Sequence, residues 1–215
     1  AVRDLPSPIW FDSGKPRSLQ GRLDIISAAP ARILETRGSS TLISDSEGNS
    51  QMSTACPFAL CQEAMDDFAL QGDKLTELPF VGGLAGFFGY GLGTAAASDS
   101  SSTSKKGPAD MPDMRQGYYL WALVINQQIS QAHLVFHPAC PRSLRRDVQA
   151  RLANPVPLAE KPFALTSDFQ ASTTRSDYES DVATVKDYIA AGDCYQVNYA
   201  QHFSAEFEGE PWAAY

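Results

Sequence analysis

Few residues of this 215-residue chain have both the type and the spacing to do chemistry, and most of those fail on spacing. His133 and His137 stand four apart, which on a helix would turn two imidazoles toward one metal ion. They lie in ISQAHLVFH, a β-type run, where four residues separate them by roughly 13 Å, too far for a shared zinc. His202 has no cysteine or second histidine near it and reads as a surface or packing residue. Ser102-x-x-Lys105 has the spacing of a serine nucleophile and its lysine, yet it falls inside a Ser/Thr tract where chance supplies such matches. Cys194 follows a Gly-Asp turn. A reactive thiolate there would need a base and an electropositive setting, and the closest histidine is eight strand residues away. These residues assemble neither a catalytic set nor a metal site.

The glycine run VGGLAGFFGYGLG, residues 81–93, resembles a phosphate cradle because Gly89, Gly91 and Gly93 crowd together. A P-loop ends in Gly-Lys-Ser/Thr, and a dinucleotide loop needs a strand before it, a helix after it and an acid beyond. Neither context exists. The glycines instead predict a buried strand pressed against another backbone. In GDCYQVNYAQHF, residues 192–203, Tyr195, Val197, Tyr199 and Phe203 alternate onto one face of a predicted strand over 194–203. Gln196, Asn198 and His202 take the other face, and Gln201 breaks the scheme. That second face is either solvated or lined by amides that satisfy a polar interior.

The elements around these stretches follow from periodicity and punctuation. Residues 8–12, 22–28 and 31–45 read as strands of an antiparallel meander, with turns at Ser13-Gly14, Gly38 and 47–49. A helix is expected over 57–71, with Pro57 opening it, Gly72 closing it, and Leu60, Cys61, Ala64, Met65 and Phe68 as its apolar stripe. Residues 95–110 are a Ser-rich surface loop carrying Lys105-Lys106. GYYLWALVI (117–125) and ISQAHLVFH (129–137) predict a hairpin, followed by a helix over 141–153. After a Pro-bearing connector, Thr174 caps a helix with Tyr178, Val182, Val185 and Ile189 on one face, ended by Gly192. Strands in meander with helices alongside give an α+β class, divided into 1–155 and 156–215.

Composition narrows the setting. A formal charge of −8 and a pI near 4.8, with no basic stripe, argue against nucleic acid or an anionic membrane as partner. The four cysteines form no C-x-x-C pair and no disulfide framework, so a reducing cytoplasm is the expected compartment. The sequence AVRDLPSP has no signal-peptide pattern, and no apolar run approaches the length of a membrane span.

Four stretches together resemble the chorismate-utilising enzymes. They are GDCYQVNYAQHFSA (192–205), LPFVGGLAGFFGYGLG (78–93), FALTSDFQASTTRSDYESDV (163–182) and MPDMRQGYYLWALVIN (111–126). Gly91 and His202 depart from the family pattern, which has Asp and Arg there, so a salt link between those positions is not carried over. The resemblance implies a sandwich of β sheets with flanking helices, completed by a further half of similar length. It also implies amination of chorismate at C4 with ammonia from a glutamine amidotransferase partner and with Mg²⁺, on the way to 4-aminobenzoate and folate. The anthranilate-forming branch, and a non-catalytic effector-binding or amidotransferase-docking module, are the alternatives. The family's catalytic and Mg²⁺-binding blocks match nothing in these residues, which implies that this segment alone is inactive. Members that bind tryptophan use a serine and a stretch about seven residues on. Ser13 and then Gln20, Gly21, Arg22 and Leu23 match those positions, although Ser-Gly is also an ordinary turn pair.

Overall fold

The computed structural model describes residues 1–14, 21–69, 78–90, 92, 111–155 and 161–214. The chain forms two compact units, Ala1–Val156 and Pro157–Tyr215. Gly72, Gly91, Ser102, Lys105 and Lys106 lie outside the described residues.

The first unit is built from two antiparallel sheets. One has the order β1 (Ile9–Phe11), β2 (Leu23–Ser27), β8 (Trp121–Asn126), β9 (Gln131–Phe136). The other has the order β5 (Ser50–Ser53), β4 (Ser40–Asp45), β3 (Arg32–Arg37), β7 (Met114–Tyr119), β6 (Gly83–Phe88). The expected single meander over 8–45 is therefore split, because β2 pairs with β8 and β3 with β7. The apolar run 117–125 is also two strands rather than one. It leaves the five-stranded sheet at Tyr119, turns at Leu120 and enters the four-stranded sheet at Trp121. The bend is invisible in the sequence because the residues on both sides of it are buried and no Gly or Pro stands at Tyr119, Leu120 or Trp121.

Hydrogen bonds secure the chain on either side of that corner, the end of β2 against β8 and the approach to β3 against β7. The Trp121 indole N–H donates to the Ala28 carbonyl at 2.7 Å, the Ser27 hydroxyl to the Trp121 carbonyl at 2.6 Å, and the Ala31 N–H to the Tyr118 carbonyl at 2.8 Å. Each pairs a buried polar group that would otherwise cost a few kcal/mol. Trp121 belongs to a core with Leu34, Leu60, Met114, Tyr118 and Val148.

Two helices serve this unit. Helix α1 (Pro57–Asp67) has proline in its first turn and no side-chain cap, and it buries Leu60, Cys61 and Ala64. It ends at Asp67, four residues short of the expected end, with Phe68 as its C-cap, and Met65 is exposed rather than part of the buried stripe. Phe68 stacks on Tyr118 at 4.6 Å between ring centroids, and that contact holds the helix end against the five-stranded sheet. Helix α2 (Arg142–Ala153) follows Pro141 and ends at Asn154, as its sequence predicts. Arg145 secures its start by donating to the carbonyls of His137, Pro138 and Cys140.

Strand β6 lies at the edge of its sheet, not inside it, and Phe88 is exposed. The glycine argument nevertheless holds for backbone approach. A Cβ on Gly86 would overlap the Arg115 carbonyl, and one on Gly89 would meet the Asp113 carbonyl at 2.8 Å.

In the second unit, segment 161–172 runs antiparallel to 202–210 through β10 (Ala164–Leu165) with β13 (Phe207–Glu208) and β11 (Gln170–Ala171) with β12 (Phe203–Ser204). Helix α3 (Arg175–Ala191) links them. Thr174 Oγ1 accepts the Asp177 N–H at 3.2 Å, and Gly192 takes the left-handed conformation with φ of 84°. The expected strand over 194–203 is not formed. Only Phe203 joins a ladder, and residues 194–202 lie outside regular structure. The apolar face that this alternation would have turned inward is not packed either, since Tyr195 is 93% exposed and Val197 41%. Alternation alone does not make a strand when no neighbouring backbone answers its N–H and C=O groups.

Candidate functional site

Of the residues matched to an amino-acid pocket, Ser13, Gly21, Arg22 and Leu23 sit at the end of β1 and the start of β2. Asp12 accepts the Gly14 N–H on Oδ1 at 2.8 Å, an Asx turn that bends the chain directly after β1. Ser13, at the centre of this bend, reaches across to β2: its hydroxyl donates to the Leu23 carbonyl, and its N–H donates to Asp24 Oδ1 at 3.0 Å. Ser13 and Leu23 are thus brought together as the sequence spacing suggests. Arg22 is exposed beside them, and its carbonyl accepts the Gln127 N–H at 2.9 Å. Gly21 is half-buried, and Gln20 lies outside the described residues. Chemically, the bend offers a hydroxyl, backbone carbonyls and one guanidinium. Acceptors of this kind suit an ammonium and the guanidinium suits a carboxylate.

A concavity of about 220 Å³ opens between the start of β1 and the five-stranded sheet, lined in part by Ser7, Ile9, Ala85, Arg115 and Tyr119. The Tyr119 hydroxyl donates to the Ser7 carbonyl at 2.9 Å, and Arg115 pairs with Glu35 and donates to the Ser7 hydroxyl. Burial pushes the Tyr119 hydroxyl up to about 12, with the Arg115 guanidinium pulling weakly the other way. At neutral pH it is a locked donor and not an acid–base group.

The remaining reactive types are placed apart. His133 is exposed on β9 opposite Val124, and His137 is buried just past that strand with Nδ1 accepting the Ala139 N–H at 3.1 Å. Burial raises the Cys61 and Cys140 thiols above their ordinary values, which makes both poor nucleophiles. His202 serves through its backbone, its carbonyl accepting the Ser172 N–H at 2.8 Å. Among the described residues no three His, Cys, Asp or Glu side chains gather as a hard cation requires, so no Mg²⁺ step is assigned to them.

A profile of the chorismate binding enzymes matches residues 7–215, nearly the whole chain. The chain belongs to the chorismate-binding enzyme family. Among relatives of this family, aminodeoxychorismate synthase component 1 of Escherichia coli (strain K12) is 34% identical over 98% of the chain, which corresponds to 45% of that protein. Anthranilate synthase component 1 of Pseudomonas aeruginosa is 28% identical over 98% of the chain, again 45% of that protein. The solved structure of anthranilate synthase component I from Streptococcus pneumoniae TIGR4 superposes with a TM-score of 0.68 over 93% of the chain and 46% of its own. At 22% identity that likeness concerns the fold, and it agrees with antiparallel sheets flanked by helices. The chain spans about half the length of the curated relatives it matches.

Sequence reasoning passed over one residue of the β1–β2 bend. Asp24 is the lone acid of LDIIS and is buried in strand β2. A carboxylate in the middle of an apolar strand is a readable signal, because an acid is almost never fully buried without a partner.

Proposed function

We propose that the chain is the amino-terminal portion of an aminodeoxychorismate synthase component 1. At full natural length this cytoplasmic enzyme works with a glutamine amidotransferase partner. It replaces the C4 hydroxyl of chorismate with an amino group from ammonia, releasing water and giving 4-amino-4-deoxychorismate for 4-aminobenzoate and folate synthesis. The observation that carries this over the anthranilate-forming alternative is the gap between 34% identity to the aminodeoxychorismate component and 28% to the anthranilate component, over the same share of the chain. Mg²⁺ would neutralise the substrate carboxylate in this reading, held by residues outside 1–215. The β1–β2 bend is the amino-acid pocket. Ser13, Gln20, Gly21, Arg22 and Leu23 would hold tryptophan, and the Ser13–Leu23 hydrogen bond supports their grouping.

The test is turnover of chorismate with ammonium and Mg²⁺ by the protein at full natural length. The expected product is 4-amino-4-deoxychorismate, and anthranilate would overturn the assignment in favour of the alternative. Residues 1–215 alone should show no turnover, and measurable conversion by them would contradict the placement of the catalytic groups elsewhere.

A further inference from the structure

The bend that carries Ser13 is tied to a carboxylate inside the sheet. Asp24 is 2% exposed, and its two oxygens take different partners. Oδ1 accepts the Ser13 N–H at 3.0 Å, and Oδ2 accepts an N–H of the Gln127 side-chain amide. Gln127 begins the turn between β8 and β9, and its backbone N–H holds the Arg22 carbonyl at 2.9 Å. Because the Ser13 hydroxyl gives its hydrogen to the Leu23 carbonyl, only its lone pairs face a ligand. Its direction therefore depends on where the Ser13 backbone is held.

We propose that Asp24 and Gln127 are a positioning pair for the amino-acid pocket. Asp24 fixes the Ser13 backbone, and Gln127 holds the other oxygen while joining Arg22 to the neighbouring hairpin. The ligand's affinity is then set by two side chains beneath the pocket. Hydrogen bonds to a charged group in a water-poor setting are strong enough for this, whereas the same bonds in water would be exchanged for solvent. This inference rests on reading Ser13 and residues 20–23 as a tryptophan site.

The experiment uses the full-length protein and two readouts: tryptophan affinity by calorimetry, and hydrogen exchange of peptides covering residues 9–14. Gln127→Glu sets two carboxylates against each other and should weaken tryptophan about tenfold and speed exchange by a similar factor, as loss of one charged hydrogen bond implies. Adding Asp24→Asn to Gln127→Glu restores a donor facing an acceptor. The double variant should return within about threefold of the parent in both readouts, which a loss of general stability would not do. Unchanged affinity and exchange in Gln127→Glu, or a double variant no better than the single one, would overturn the pair. If the parent protein binds no tryptophan, the pocket reading fails, and exchange in the same variants still decides whether Asp24 and Gln127 hold the bend.

Discussion

Residues 1–156 and 157–215 hold their structure by different means. In the first unit long-range pairs of β2 with β8 and β3 with β7 enclose a core in which Trp121, Leu34, Met114 and Val148 are sealed from solvent. In the second, none of the described residues is buried. Its order comes from the short pairings of 161–172 with 202–210 and, between them, from local devices: the Thr174 cap, the Arg175–Glu179 pair at 2.7 Å, the left-handed Gly192, and the Asp193 N–H returning to the Tyr188 carbonyl at 3.0 Å. Capping and turn chemistry can place a helix, yet each such device contributes only about 1 kcal/mol, whereas a single buried aromatic contributes several.

The largest effect should follow from emptying the corner between the sheets. Trp121→Ala removes a fully buried indole and leaves the Ala28 carbonyl without its donor, so about 3–5 kcal/mol of stability should be lost. Denaturant unfolding followed by circular dichroism measures this. A loss under about 1 kcal/mol would mean that the first unit does not depend on its core.

Tyr119 offers a second test of the same unit through pH. Its hydroxyl, normally near 10, is raised to about 12 by burial, so the folded chain keeps a proton that the unfolded chain releases. Stability from this source is complete below pH 10 and falls as pH rises toward 12, by roughly 3 kcal/mol in all. Urea midpoints measured from pH 8 to 11 should decline more steeply for the parent than for Tyr119→Phe. Parallel declines would remove the claim that burial holds this proton.

The contrast between the units also explains what the sequence made legible. Helices α2 and α3, the Thr174 and Gly192 caps and the β8–β9 hairpin were readable because their determinants lie within a few residues of one another. The sheet change at Leu120 was not, since it depends on which distant strand each half of an unbroken apolar run will meet. Strand β5, with the polar sequence SQMS, escaped notice because an edge position asks little of its side chains. At the bend, the Ser13 spacing was legible only through family likeness. Asp24 and Gln127 lie 103 positions apart and meet only once β2 has paired with β8.

The second unit should respond most clearly at its cap. Thr174→Ala removes the oxygen that accepts the Asp177 N–H and the hydroxyl that donates to its carboxylate at 2.7 Å. About 1 kcal/mol of helix stability should go with it, seen as faster hydrogen exchange in the first turn of α3 while exchange of the core strands is unchanged. Equal acceleration in both units would show that they unfold together and would weaken the contrast between them.

The smallest effect is expected at Val197, where pattern and structure disagree most. Alternation from Tyr195 to Phe203 marks Val197 as inward-facing, and an aspartate on a buried strand face would cost several kcal/mol. The side chain is instead 41% exposed in a segment without ladder partners, and Tyr199 nearby turns to helix α3, its ring 5.3 Å from that of Tyr178 and its hydroxyl donating to Asp181. A charge at position 197 therefore keeps its water, and Val197→Asp in residues 1–215 should shift stability by less than about 0.5 kcal/mol. Exchange of α3 and the global unfolding midpoint should match the parent. A loss above about 2 kcal/mol would mean that the segment is buried after all, by self-association or by a partner strand. Repeating the measurement over a range of protein concentrations separates those two, because only association makes the loss depend on concentration.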